Sequence, residues 1–124
     1  MDRRSAKATA VLLILNAKIY EQEKEREVSR YRFTRQTLTK CSCRRVLRNS
    51  FLDQLDEELA ELGWRFIQLE FDYAIVDASK VNSWTKLSSK RLREKALLTM
   101  TDQELIDSYE SKYGDESPID DSED

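Results

Sequence analysis

The run RRVLRNSFLDQLDEELAELGWRFIQLEFDYAIV, residues 44–76, holds an amphipathic helix, a stop signal and two strands in immediate succession. Leu47, Phe51, Leu55, Leu59 and Leu62 recur at spacings of four and three, which puts them on one helical face, and Leu52 widens the stripe. Gly63 follows the last periodic leucine, where a left-handed residue normally ends a helix. Trp64 to Leu69 and Tyr73 to Val76 are rich in aromatic and β-branched residues, the composition of strands. They flank the tip Glu70-Phe71-Asp72, a connection of hairpin length that has neither Gly nor Asn to favour it. On a continuous wheel Arg44 and Arg48 share the apolar face. Either the first turns overhang the core, or the helix starts later with Asn49 or Ser50 as its cap.

Towards the N-terminus, Ala8, Leu12, Leu15 and Ile19 fit one helical face, broadened by Val11 and Leu13, so a helix is predicted over residues 5–26. Tyr31 and Phe33 alternate with Arg30 and Arg32, which predicts a short half-buried strand over 28–34. A brief helix over 34–43 follows, with Leu38 and Cys41 as its buried residues. Towards the C-terminus, Val81, Trp84 and Leu87 suggest a basic helix over 79–95 that packs Trp84 back on the core. Thr101-Asp-Gln-Glu104 is a capping box. Leu105, Ile106, Tyr109 and Tyr113 form one face of the helix behind it, which Gly114 ends. Residues 115–124 hold six acids and no base, and disorder is the expectation there.

The resulting order of helix, strand, helix, helix, strand, strand, from Ser5 to Val76, resembles the winged-helix arrangement. The resemblance implies an α+β, winged-helix-like fold whose third helix enters the major groove of DNA. The chain is expected to divide into a winged-helix-like basic body (1–100), a C-terminal helical extension (101–114) and a disordered acidic tail (115–124). Carried over, the third helix begins near Arg44, with Arg44, Arg45, Arg48 and Asn49 in its first turns. Glu70 and Asp72 at the tip depart from a wing that contacts phosphate.

Charge is segregated along the chain. Residues 1–100 hold 20 Lys/Arg against 14 Asp/Glu, whereas residues 101–124 hold one Lys against ten acids. From Val28 to Ser50 there are seven cations (Arg30, Arg32, Arg35, Lys40, Arg44, Arg45 and Arg48) and no acid. Such a run suits phosphate binding, because each neutralised phosphate releases counterions. A solvated surface is the plainer account of the same run. Three arginines at a helix start and Glu57, Glu58 and Glu61 towards its end oppose the helix dipole, and broken local rules tend to mark functional positions. Arg45 and Asn49 are the candidates for base-edge or phosphate contact on either account of the helix start. Lys86 and Lys90, in a second basic cluster from Lys80 to Lys95, are candidates for tracking the backbone.

Enzymes are disfavoured by inventory. The chain has no His, no Gly-rich phosphate loop and no Ser or Cys beside an evident base. Cys41 and Cys43 cannot complete a metal site alone and read as reduced thiols. Arg3-Arg4 before the apolar run 10–15 has the outline of a signal peptide, but Asn16 and Lys18 interrupt it, and a cytoplasmic location is expected. The sequence thus points to a small bacterial or phage DNA-binding regulator that takes double-stranded DNA. It implies no cofactor, metal, membrane or small-molecule substrate. The alternative is a protein-interaction module, a homodimer or a subunit of a larger assembly, docking through Phe71, Tyr109 and Tyr113.

Overall fold

A computed structural model describes residues 2–114, in two compact units that divide after Trp84. In the first unit, three strands pair antiparallel: β1 (Arg30–Thr34), β2 (Trp64–Gln68) and β3 (Asp72–Asp77), in the order β1-β3-β2. The register sets Tyr31, Ile75 and Phe66 on one rung, and Phe33, Tyr73 and Gln68 on another. Period-two alternation therefore gives the sheet an aromatic inner face. Tyr73 stacks on Phe33 and Phe66 at centroid separations of 5.8 and 5.5 Å. The outer face carries the rungs Arg30–Val76–Arg65 and Arg32–Ala74–Ile67. The chain is thus an α+β protein with a small antiparallel sheet.

Three helices belong to the same unit: α1 (Ala6–Lys24), α2 (Arg35–Ser42) and α3 (Asn49–Glu61). Ser5 and Thr34 cap α1 and α2, their hydroxyl oxygens accepting from the Ala8 and Thr37 amides. Leu13, Leu38, Leu55, Leu59 and Ile75 are fully buried at the centre of the core. The face of α1 differs from the sequence expectation. Ala6, Thr9, Ala10, Leu13 and Ala17 are buried, whereas Val11, Leu15 and Ile19 are exposed. Small side chains let the α1 backbone come close to its neighbours, so the seam follows the alanines and the larger aliphatics are left outside.

The start of α3 also needs correction. The helix begins at Asn49, so Arg44, Arg45 and Arg48 precede it rather than occupy its first turns. Cys43 stops α2 in a left-handed conformation (φ 56°), and the chain needs residues 44–48 to turn round. Leu47 remains buried without being helical. It stands at the position before the N-cap and Leu52 at the fourth helical position, the two places of a hydrophobic staple, and both join the core. Arg48 is the N-cap and offers the first turn no side-chain acceptor. Past the other end of α3, Gly63 takes φ 89° and turns the chain into β2.

The predicted helix over 79–95 is replaced by a 3₁₀ segment (Ala78–Ser83), an irregular stretch and the five-residue α4 (Lys90–Glu94). Hydroxyl and carboxylate groups compete for the backbone here: Asp77 accepts from the Ser79 amide, and Ser83 donates to the Lys80 carbonyl. Trp84 consequently stays 51% exposed instead of packing on the core. In the second unit, α5 (Asp102–Tyr113) starts with both bonds of the Thr101–Glu104 capping box. The acidic stretch 115–124 lies outside the described residues. Among the described residues no helix is long and apolar enough to cross a membrane.

Leu55→Ala and Leu59→Ala are each expected to lower unfolding free energy in chemical denaturation by about 2–5 kcal/mol, the usual range for a leucine cavity. A similar loss in Leu15→Ala would show that the exposed flank of α1 is in fact packed.

Candidate functional site

The acid-free run is divided by the fold into two surfaces and one half-buried clamp. Arg30 and Arg32 extend from the outer face of β1. Arg65 on β2 joins them there, one rung partner beyond Val76 from Arg30. Two strand spacings separate Arg30 from Arg65, about 10 Å at the backbone. Arg65 was not among the sequence candidates. Its signal was its place between Trp64 and Phe66, which period two assigns to the core side.

On the helical side, Lys40 at the end of α2 and Arg45 in the connection border a shallow depression of about 390 Å3 with Thr39, Cys43 and Arg44. Lys40, Arg45 and Arg48 are exposed, and none forms an ion pair among the described residues. Asn49 is exposed in the first turn of α3, beside these cations in sequence. Arg35 is exposed too, but its guanidinium donates to the Tyr73 hydroxyl at 3.4 Å.

Arg44 has a different role. Its guanidinium lies 3.9 Å from the centre of the Phe51 ring and donates to the Arg4 carbonyl at 3.0 Å. Arg4 in turn donates its amide to Ser42 O and its guanidinium to Cys41 O. These bonds tie the segment before α1 to the end of α2. Arg44 is therefore committed to the fold, although its Nε is buried without a partner.

The solvent side of α3 does not resemble a phosphate-facing helix. From Asn49 to Glu61 the helix has no base; Asp53, Glu57 and Glu61 are exposed, and Asp56 and Glu58 are half-buried. At the hairpin tip Phe71 is 81% exposed, between Glu70 and Asp72. Lys86 and Lys90 belong to the second unit, where Lys90 lies 4.0 Å from Glu94. Tyr109 and Tyr113 belong to that unit as well, exposed on α5 with ring centroids 5.6 Å apart.

Titratable groups are shifted by local causes. Burial, with an opposing contribution from Asn16, pushes Tyr31 up to about 12. Its hydroxyl donates to the Leu13 carbonyl at 2.5 Å and so ties β1 to α1. Burial also holds the Cys41 thiol above its ordinary range, against the pull of Arg4. The Ser79 hydroxyl lowers Asp77, and the Glu27 carboxylate raises Lys80. Among the described residues no cluster of His, Cys, Asp or Glu could hold a metal ion. No protein-family model, curated protein or solved structure matches the chain.

Two measurements check these assignments. Arg44→Ala should cost about 1–2 kcal/mol through the lost ring contact and hydrogen bond, and Arg44→Lys should not restore it fully. Because folding favours neutral Tyr31, its contribution is complete below pH of about 10 and is lost as pH rises towards about 12. Tyr31→Phe should flatten that alkaline decline; an unchanged decline would assign it to another group.

Proposed function

We propose that the chain up to Trp84 is a winged-helix module that holds duplex DNA by its phosphates, through the connection between α2 and α3. The element order α-β-α-α-β-β and the strand order β1-β3-β2 support the winged-helix reading. The observation that carries the DNA reading is local. Lys40, Arg45 and Arg48 face solvent without an ion pair among the described residues. Arg45 and Arg48 lead into the first turn of α3, whose amides have no side-chain cap and bear the positive end of the helix dipole. The carboxylates from Asp53 onward oppose deep entry of α3 into a groove. Binding of this kind positions the protein on the backbone and discriminates weakly among sequences.

A second reading rests on other surfaces. The acidic side of α3, the exposed Phe71 and the uncovered Val11, Leu15 and Ile19 of α1 suit a protein partner or a second copy of the chain. That module would make no direct contact with DNA.

Fluorescence anisotropy with a random duplex separates the two readings. Three phosphate contacts predict that log affinity falls against log salt with a slope of about −3. Arg45→Ala with Arg48→Ala should bring the slope to about −1, with melting temperature unchanged. Arg30→Ala with Arg32→Ala, on the opposite side of the sheet, should leave it unchanged. Absence of duplex binding at about 50 mM salt overturns the DNA reading.

A further inference from the structure

We propose that a cleft at the end of α1, separate from the α2–α3 connection, binds a ligand in which a planar heterocyclic base is joined to a phosphate. The cleft encloses about 750 Å3, within the range of small-ligand sites, and lies wholly in the first unit. Its walls combine two kinds of group, Tyr20, Tyr31 and Trp84 with Arg26, Arg30 and Lys80.

The fold engages Tyr31, through the Leu13 carbonyl, and Lys80, through Glu27, and leaves the others of each kind. Trp84 is half exposed. An indole left in this state on a concave wall is a stacking surface, because every base offers it a π-face. Arg30 is exposed and unpaired by any carboxylate among the described residues. Arg26 is pre-positioned, its guanidinium 5.8 Å from the Tyr20 ring centre and donating to the Tyr20 hydroxyl at 3.3 Å. Lys80 is bound to Glu27 at 2.6 Å, which neutralises it and joins the 3₁₀ segment to the loop after α1. Two cations are left to meet an anion.

That combination selects among ligand classes. An apolar ligand would have to desolvate Arg26 and Arg30 without compensation. A bare anion would leave the aromatic walls wet. A base linked to a phosphate satisfies both, with stacking on Trp84 and charge-assisted bonds to Arg26 and Arg30. The C-terminal end of α1 weakly opposes an anion, and the two guanidinium groups outweigh it. A free nucleotide and an unpaired residue of single-stranded nucleic acid share this chemistry.

Calorimetric titration of the full chain tests the assignment, with ATP, a deoxythymidine oligomer of about ten residues and inorganic tripolyphosphate as probes. Saturable binding of ATP or the oligomer should weaken about tenfold in Trp84→Ala and in Arg30→Ala, and Trp84→Phe should largely keep it. Unchanged melting temperatures would exclude misfolding as the cause. Binding of ATP alone identifies a nucleotide site; tighter binding of the oligomer identifies a single-strand site. Arg45→Ala with Arg48→Ala should leave this binding intact, which separates it from the duplex reading. Tripolyphosphate binding as tightly as ATP, or no saturable binding of either probe at about 1 mM, would overturn the proposal.

Discussion

The turn at Cys43-Arg44 sets the geometry of the first unit. Cys43 takes the left-handed conformation that normally falls to glycine, and so ends α2 after eight residues. The Arg44 amide donates to the Thr39 carbonyl, and its guanidinium lies over Phe51. One residue thereby satisfies the end of α2 and presses on the first turn of α3. Arg4 fastens the segment before α1 to the same place through Ser42 and Cys41. With α2 and α3 fixed in this way, Leu47 can fill the core from a non-helical position, and Arg45 and Arg48 are forced outward.

The strands, the glycine stop and the capping box were legible because each rests on local chemistry. Alternation of Tyr31 and Phe33 with arginine has one physical interpretation, and so does Gly63 after a leucine stripe. The misread elements were those in which tertiary packing overrides local pattern. Leu47 stands four residues before Phe51, so periodicity extends the helix back through Arg44; only the left-handed Cys43 and the Arg44 clamp show otherwise. On α1 a hydrophobicity sum favours Leu15 and Ile19, whereas close packing uses Ala10 and Ala17. Between Ser79 and Ser89 the apolar spacing of Val81, Trp84 and Leu87 suggested a helix. Side chains that bond the local backbone prevented it.

The candidate site was legible in composition and not in geometry. Seven cations without an acid are visible in the sequence, but their division among a sheet face, a helix connection and a half-buried clamp depends on contacts across the fold. Arg44 shows the consequence. A guanidinium that contributes equally to a charge count is withdrawn from binding once it stacks on Phe51 and bonds to Arg4.

The same division governs what the two surfaces can do. Like charges within a Debye length of about 8–10 Å repel one another, so the carboxylates of α3 limit how far any phosphate can advance past Asn49. A backbone-holding contact at Arg45 and Arg48 tolerates that limit, because it needs only the helix start. A base-reading contact does not, since it requires the next turns, where Asp53 and Glu57 stand. The cleft beside Trp84 has mixed charge instead. Its lining carboxylate, Glu27, is already paired with Lys80, and Arg26 and Arg30 act on a ligand against the Glu21 and Asp77 carboxylates that stand near Val28 and Lys80. The exposed indole therefore falls beside two guanidinium groups, Arg26 and Arg30, whereas the start of the acidic helix has carboxylates within its next turns.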